Sequence, residues 1–437
     1  MSVEIDGRPI RRLLVLGLGV TGAAVVAFGQ QAGLAVVVSE AGALSEDQRK
    51  RLDASGIAYE EGGHTERFLD AVDAVVLSPG VPPDAPIPQA ARARGALVLS
   101  ELDFAAAESG ATPIVAVTGT NGKGTTVTLI DEILRFAGMK TVLGGNIGTP
   151  FVSLLDRAAA SDAIVLEVSS YQLEPCDRFR PKVGVLLNLT PDHLARHGTM
   201  AAYAAAKGRL FQQQESDDVA VLPIALGETF LQGRAVRRFY DTPFPPMPAG
   251  SDDLSPHNRL NLAAALTAVD ALAPGLDLGG LSIDRLEGAF RLPHRLEDLG
   301  VFDGVRAIND SKSTNGDSSI AALRSIDGPV VLLLGGRHKG GGYEALAREI
   351  RARDVRVVVV FGEAAPRLAE TLEAEGVRPR RAEDLEVAVA FGFEVARPGD
   401  TLLFSPGCSS FDAFPDYATR GEAFTELARS RKSDRGS

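Results

Sequence analysis

Three times along its 437 residues the chain passes from a short apolar run, through a turn of small residues, into a helix-length segment and on to another apolar run. Residues 11–39 do so around Gly17-Leu18-Gly19-Val20-Thr21-Gly22, residues 114–136 around Gly119 to Gly124, and a third series begins near residue 306. Runs too short for helices that alternate with helix-length segments are the signature of parallel strands with crossover helices, and so of an α/β fold. Further strands are expected at 73–77, 97–99, 163–168, 183–187, 306–309, 330–334, 355–361 and 401–404. The Pro- and Gly-rich stretches 78–83 and 241–256 read as loops, and no 20–50-residue repeat suggests a solenoid. With about 150 residues per domain as a guide, the length holds two or three domains, each able to bury a core.

Composition narrows the function. A net charge of −12 disfavours general nucleic-acid binding. The most apolar early stretch, 13–35, is broken by Thr21, Gln30, Gln31 and several glycines, so neither membrane insertion nor an export signal is expected, and the reading is a soluble cytoplasmic protein. Two cysteines, Cys176 and Cys408, are too few for a disulfide framework or a thiolate zinc site. Only eight of the 45 basic residues are lysines, so a lysine inside a motif marks a place where a primary amine or a compact charge is needed.

The first glycine turn, with Glu40 about 20 residues on at the end of the next strand, fits the dinucleotide fingerprint. Its physical content is a backbone that can approach a diphosphate at a helix N-terminus, so NAD, another nucleotide or a merely structural turn all satisfy it. The second turn, Thr118-Gly119-Thr120-Asn121-Gly122-Lys123-Gly124-Thr125-Thr126, departs from a standard phosphate loop at Val117 and Gly124. It keeps the context, with backbone amides to cradle phosphates and Lys123 as their charge partner; the plain alternative is a glycine-rich turn with a chance lysine.

Over roughly residues 11–425 the sequence resembles the Mur ligases, ATP-dependent amino acid ligases of peptidoglycan precursor synthesis. The resemblance runs through Gly144-Gly145-Asn146-Ile147-Gly148, Leu166-Glu167-Val168-Ser169-Ser170-Tyr171-Gln172-Leu173, Asn188-Leu189-Thr190-Pro191-Asp192-His193, Tyr203 with Lys207, His257-Asn258-Arg259-Leu260-Asn261, Leu292-Pro293-His294-Arg295 and Asn309-Asp310-Ser311-Lys312-Ser313-Thr314. The tail Ser405-Pro406-Gly407-Cys408-Ser409-Ser410-Phe411-Asp412, with Phe414 and Tyr417, is similar to the branch that adds D-glutamate to UDP-N-acetylmuramoyl-L-alanine. Gly124 and Ser39-Glu40-Ala41 depart from the family pattern.

The resemblance implies three domains: a Rossmann-like substrate domain (1–107), a central ATP domain on a parallel sheet (108–291) and a Rossmann-like amino-acid domain (292–437). Gly17, Val20, Thr21, Ser78, Pro79, Gly80 and Asn146 would hold the uridine diphosphate substrate. Gly119, Thr120, Asn121, Gly122, Lys123, Gly124, Thr125, Thr126, Asn261, Arg295 and Asp310 would hold ATP, and Thr125, Glu167, His193 and a carbamylated Lys207 would hold Mg²⁺. Lys123, His193 and Lys207 would be catalytic, and Lys312, Thr314, Lys339, Ser410 and Phe411 would bind D-glutamate. The plain alternatives are a solvated strand-end acid for Glu167, a loop histidine for His193, a helix cap for Asp310 and a surface lysine for Lys207. The expected form is a monomer in which the third domain moves to engage ligands. Competing readings are another Mur or a folylpolyglutamate-type ligase, and an NAD-dependent dehydrogenase that would explain only residues 11–40.

Overall fold

The computed structural model describes residues 3–70, 72–227, 229–230, 233–290, 292–339 and 342–431. Residue 291, where the expected second boundary falls, lies outside them. The fold is α/β with three main sheets, and contacts gather it into two compact units, Met1–Leu189 with Ala201–Leu286 and Thr190–Met200 with Glu287–Ser437.

The first unit carries two parallel sheets. In one, Arg12–Leu16 is central, flanked by Ala35–Ser39 then Ala58–Glu60 on one side and by Ala74–Leu77 then Leu97–Ser100 on the other. Strand order therefore reverses beside Arg12–Leu16, between the turns that follow Leu16 and Leu77. In the other, Ile114–Thr118 lies between Val183–Leu186 and Ala163–Glu167, with Val219–Leu222 and Val236–Phe239 beyond the first and Thr141–Gly145 beyond the second. Residues 114–117 are each no more than 5% exposed, as a strand covered on both faces requires. One apolar core runs from Val3 and Leu13 to Phe211 and Phe230, joining the two sheets. The seam also holds buried carboxylates: Asp103 accepts the amides of Ser100, Asp177, Arg178 and Phe179, and Glu101 accepts that of Val152.

The second unit is built on a six-stranded sheet with Thr401–Gly407 between Val305–Asn309 and Val330–Gly335. Val355–Phe361 and Arg380–Arg381 extend one side. The other edge, Glu297–Phe302, is antiparallel. That edge strand was not expected from sequence. It is joined to the next by Asp303-Gly304, both at positive φ, a two-residue hairpin turn whose twist matches its strands. The same device, Asp6-Gly7, makes a small hairpin of Val3–Ile5 with Arg8–Ile10.

Candidate active site

At the switch point of the first sheet, Ser78 donates through Oγ to the Gly17 carbonyl at 2.7 Å, tying the two predicted substrate turns together. A Cβ on Gly17, at φ +87°, would come within 2.9 Å of the Ser78 Cβ, and one on Gly22 would overlap the Gly17 carbonyl. Both glycines are therefore demanded by close packing. Val20 is 76% exposed at the start of the helix Val20–Gln31, followed by Thr21, and Pro79 and Gly80 continue the loop from Ser78. Glu40 does not project toward a ligand: its carboxylate accepts the Leu18 amide at 2.5 Å and the Gly42 amide at 2.9 Å.

The phosphate loop leaves Ile114–Thr118 and enters the helix Lys123–Phe136. Gly122, at φ +87°, is its left-handed N-cap, and a Cβ there would lie 2.3 Å from the Asn261 Oδ1. The predicted ATP residue Asn261, buried on the helix Pro256–Leu272, thus presses on the loop itself. Asn188 shapes the opposite side. Its Oδ1 accepts the Thr120 and Asn121 amides at 3.0 and 2.8 Å, and its Nδ2 donates to the Asn121 carbonyl. Nothing local to Asn188 signals this role; it follows from the adjacency of the preceding strand, Val183–Leu186, to the loop strand.

Lys123 Nζ donates to the carbonyls of Gly119 and Thr120 at 3.0 and 2.8 Å. Lys207 is 1% exposed, so the surface-lysine alternative fails; its Nζ donates to Gly119 at 2.8 Å and lies 4.7 Å from the Tyr203 ring centre. Gly124, Thr125 and Thr126 form the helix's buried first turn. Thr126 spends its hydroxyl on the Gly122 carbonyl, whereas the Thr125 Oγ1 is buried without a partner. So is Glu167 Oε2, while Glu167 Oε1 accepts from Asn146 Nδ2 at 2.8 Å. Glu167 is 5% exposed, which removes the solvated-acid alternative. Two hard oxygens shut away from water with unused lone pairs suit Mg²⁺. Among the described residues no three His, Cys, Asp or Glu side chains gather into a complete metal cage, so a cation there would draw its other ligands from elsewhere.

In the second unit the loops after Asn309, Gly335 and Gly407 follow neighbouring parallel strands and emerge at one end of the sheet. They bring Thr314 and Lys339 together: Lys339 Nζ donates to Thr314 Oγ1 at 3.2 Å and pairs with Asp192 at 2.9 Å. Asp192, also unassigned from sequence, accepts Asn315 Nδ2 and the His193 amide. Burial alone would raise its pKa, but Lys339, His193 and Asn315 overcome this and hold it at about 2. His193 stands at φ +55° at the start of the helix Leu194–His197 and belongs to this unit, whereas Glu167 and Lys207 belong to the other. Lys312 lies 5.4 Å from the Tyr417 ring centre, Ser410 is buried and Phe411 is 61% exposed. Asp310 is no helix cap, since Asn315 caps the helix Gly316–Arg324. Burial raises the Asp310 carboxyl to about 6 against hydrogen bonds from Ser313, Ser405 and the Leu296 amide and the charge of Arg295.

Three family models match this chain: MurD N-terminal domain at residues 12–87, Mur ligase middle domain at 117–236, and Mur ligase, glutamate ligase domain at 294–408. It is 41% identical to a UDP-N-acetylmuramoylalanine--D-glutamate ligase of Pelotomaculum thermopropionicum, over 97% of this chain and 98% of that one. The chain belongs to the Mur ligase family. A relative of the same description from Salinibacter ruber is 38% identical over 95% of this chain and 97% of its own. The solved MurF ligase of Thermotoga maritima in complex with ADP shares the fold with a TM-score of 0.58 and 17% identity, covering 96% of this chain and 95% of that one. Among the described residues no helix is long and apolar enough to cross a membrane.

Proposed function

We propose that this Mur ligase joins D-glutamate to the carboxylate of UDP-N-acetylmuramoyl-L-alanine with hydrolysis of ATP, in the cytoplasm, as a step of peptidoglycan precursor synthesis. The observation that carries this reading is the near-full-length identity to relatives described as D-glutamate ligases. In the reaction, the substrate carboxylate attacks the γ-phosphorus of ATP to give an acyl phosphate and ADP. The neutral amine of D-glutamate then adds to the acyl carbon, and the tetrahedral intermediate loses a proton and expels phosphate. Both steps need alignment and charge neutralisation more than covalent help from the protein.

The uridine diphosphate is assigned to the Gly17–Thr21 and Ser78–Gly80 turns with Asn146, and ATP to the Gly119–Thr126 loop with Asn261, Arg295 and Asp310. Thr125 and Glu167, joined by His193 and carbamylated Lys207, would hold Mg²⁺, which supplies charge neutralisation at the phosphates. D-Glutamate is assigned to Lys312, Thr314, Lys339, Ser410 and Phe411, two cations for a dianionic amino acid. We assign three domains (1–107, 108–291 and 292–437), a monomeric state and closure of the third domain on its ligands. A dehydrogenase has no use for the Lys123 loop, and Glu40, committed to its own glycine turn, does not present the ribose-binding acid such an enzyme needs.

ADP release in the presence of UDP-N-acetylmuramoyl-L-alanine, with D-glutamate, L-glutamate, L-lysine and meso-diaminopimelate in parallel, tests the reading. Turnover with D-glutamate alone is expected, and turnover with L-lysine alone would overturn it.

A further inference from the structure

Among the described residues the largest fully buried side chain is a cation. Arg420, on the helix Tyr417–Arg429, has no measurable exposure, and every hydrogen bond it makes goes to a carbonyl or hydroxyl oxygen. Nε donates to Ser311 Oγ at 3.1 Å and Nη2 to the Ser311 carbonyl at 2.8 Å, while Nη1 donates to the carbonyls of Cys408 at 3.0 Å and Gly335 at 3.4 Å. Burial lowers its pKa to about 10, and Cys408 and Asp412 oppose that shift. A guanidinium taken out of water without a hydrogen-bonded carboxylate is costly, so its place calls for a reason.

Its acceptors supply one. Ser311, Gly335 and Cys408 lie in or at the start of the three loops that carry Lys312, Lys339 and Ser410. Backbone bonds between Arg337 and Ser409 bridge two of these loops, and the Ser311 hydroxyl, which accepts from Arg420, donates in turn to the Tyr417 carbonyl. Gly336 makes room: at φ +127°, a Cβ there would come within 2.9 Å of the guanidinium and collide with the Ser409 carbonyl.

We propose that Arg420 is the positioning residue of the amino-acid pocket, fixing the three loops from behind so that Lys312, Lys339 and Ser410 meet the two carboxylates of the incoming amino acid in one geometry. This rests on the ligase reading above. The fork is essential to the role: a planar donor set spans acceptors on three loops at once, which a compact ammonium cannot do. Charge is secondary, and that separates the two basic side chains.

The test is steady-state kinetics on the full chain with each substrate varied in turn. Arg420→Lys, which keeps the charge, should raise the KM for D-glutamate roughly tenfold or more while leaving those for ATP and the UDP-linked substrate within about twofold. Ser311→Ala should move the D-glutamate KM in the same direction by a smaller factor. Arg420→Gln should be at least as impaired as the lysine variant; if it fails to fold, the other two variants decide. An Arg420→Lys enzyme with an unchanged D-glutamate KM, or with all three KM values rising together as a general scaffold defect would make them, overturns the proposal. A wild-type chain that releases no ADP with D-glutamate overturns the ligase reading instead, so the two failures are distinguishable.

Discussion

Around the phosphate loop, Lys123 and Lys207 rest on carbonyl oxygens of residues 119 and 120, whereas Lys339 in the second unit is held by the carboxylate of Asp192. The carbonyl oxygens on which Lys123 and Lys207 rest carry no net charge to compete with an arriving polyanion. In the second unit, a substrate carboxylate must share or replace a carboxylate already present, an exchange that gains little from charge alone. Selection there falls to shape, which makes the rigidity of the three loops matter more than their net charge. The buried acids show the same contrast. Glu101 in the first unit has no cation among the influences on it and is raised to about 7 by burial against amides of Val152 and Phe151. Asp192 is also buried, yet is held at about 2.

The largest expected effect is at Lys207. If its amine carries carbon dioxide as a carbamate, Lys207→Ala and Lys207→Arg should each lose roughly a thousandfold in turnover, because neither side chain can form that anion. A short carboxylic acid added to the alanine variant should restore part of the activity; a fully active arginine variant would end the idea. Next comes the pair of hydroxyls in the helix's first turn. Thr125→Ala should cost on the order of a hundredfold in kcat and Thr126→Ala only a few-fold, since Thr126 spends its hydroxyl on Gly122 while Thr125 does not. Equal, mild losses would mean that the metal site is built from other atoms.

Asn188→Ala should raise the KM for ATP about tenfold with little change in that for D-glutamate, because it frees two loop amides in the first unit only. A rise confined to D-glutamate would erase the distinction between the two sites. The smallest effect is one of sign. Between about pH 4.5 and 7 folded Glu101 keeps a proton that the unfolded chain releases, so its contribution to stability falls as pH rises through that window. Asp192, with its pKa depressed, contributes stability above about pH 4 that is lost as pH falls toward 2. Glu101→Gln should therefore gain on the wild type by about 2–3 kcal/mol between about pH 5 and pH 8 in denaturant titrations, and Asp192→Asn should show no such gain. A flat difference for Glu101→Gln would remove the buried carboxyl from the account.

The phosphate loop was legible because its residues are contiguous and its strand, turn and helix follow the pattern local sequence encodes. So were most of the central strands, among them the apolar runs Leu13–Leu16, Ala74–Leu77, Ile114–Val117 and Val330–Leu334. The edge strands Ala58–Glu60, Val236–Phe239 and Glu297–Phe302 were not: each mixes apolar with charged or small residues, and nothing in such short runs announces pairing. The hairpin signals Asp6-Gly7 and Asp303-Gly304 were there to be read, but no long apolar runs flanked them to draw attention. Asn188, Asp192 and Arg420 act on partners from 67 to 147 positions away, with the exceptions of His193 beside Asp192 and the nearer Cys408, and only strand order supplies the distant neighbours. A motif shows which residues are present together in a stretch of chain, not which distant loop they hold.

On the ligase reading, the substrate's own carboxylate is activated at the phosphate loop before the amino acid arrives. The most direct measurement is to label both oxygens of that carboxylate with heavy oxygen, run the complete reaction with D-glutamate, and weigh the released phosphate. Attack on the γ-phosphorus carries one substrate oxygen into the phosphate at every turnover, so singly labelled phosphate should appear in step with ADP. Unlabelled phosphate formed alongside the amide product would contradict the account.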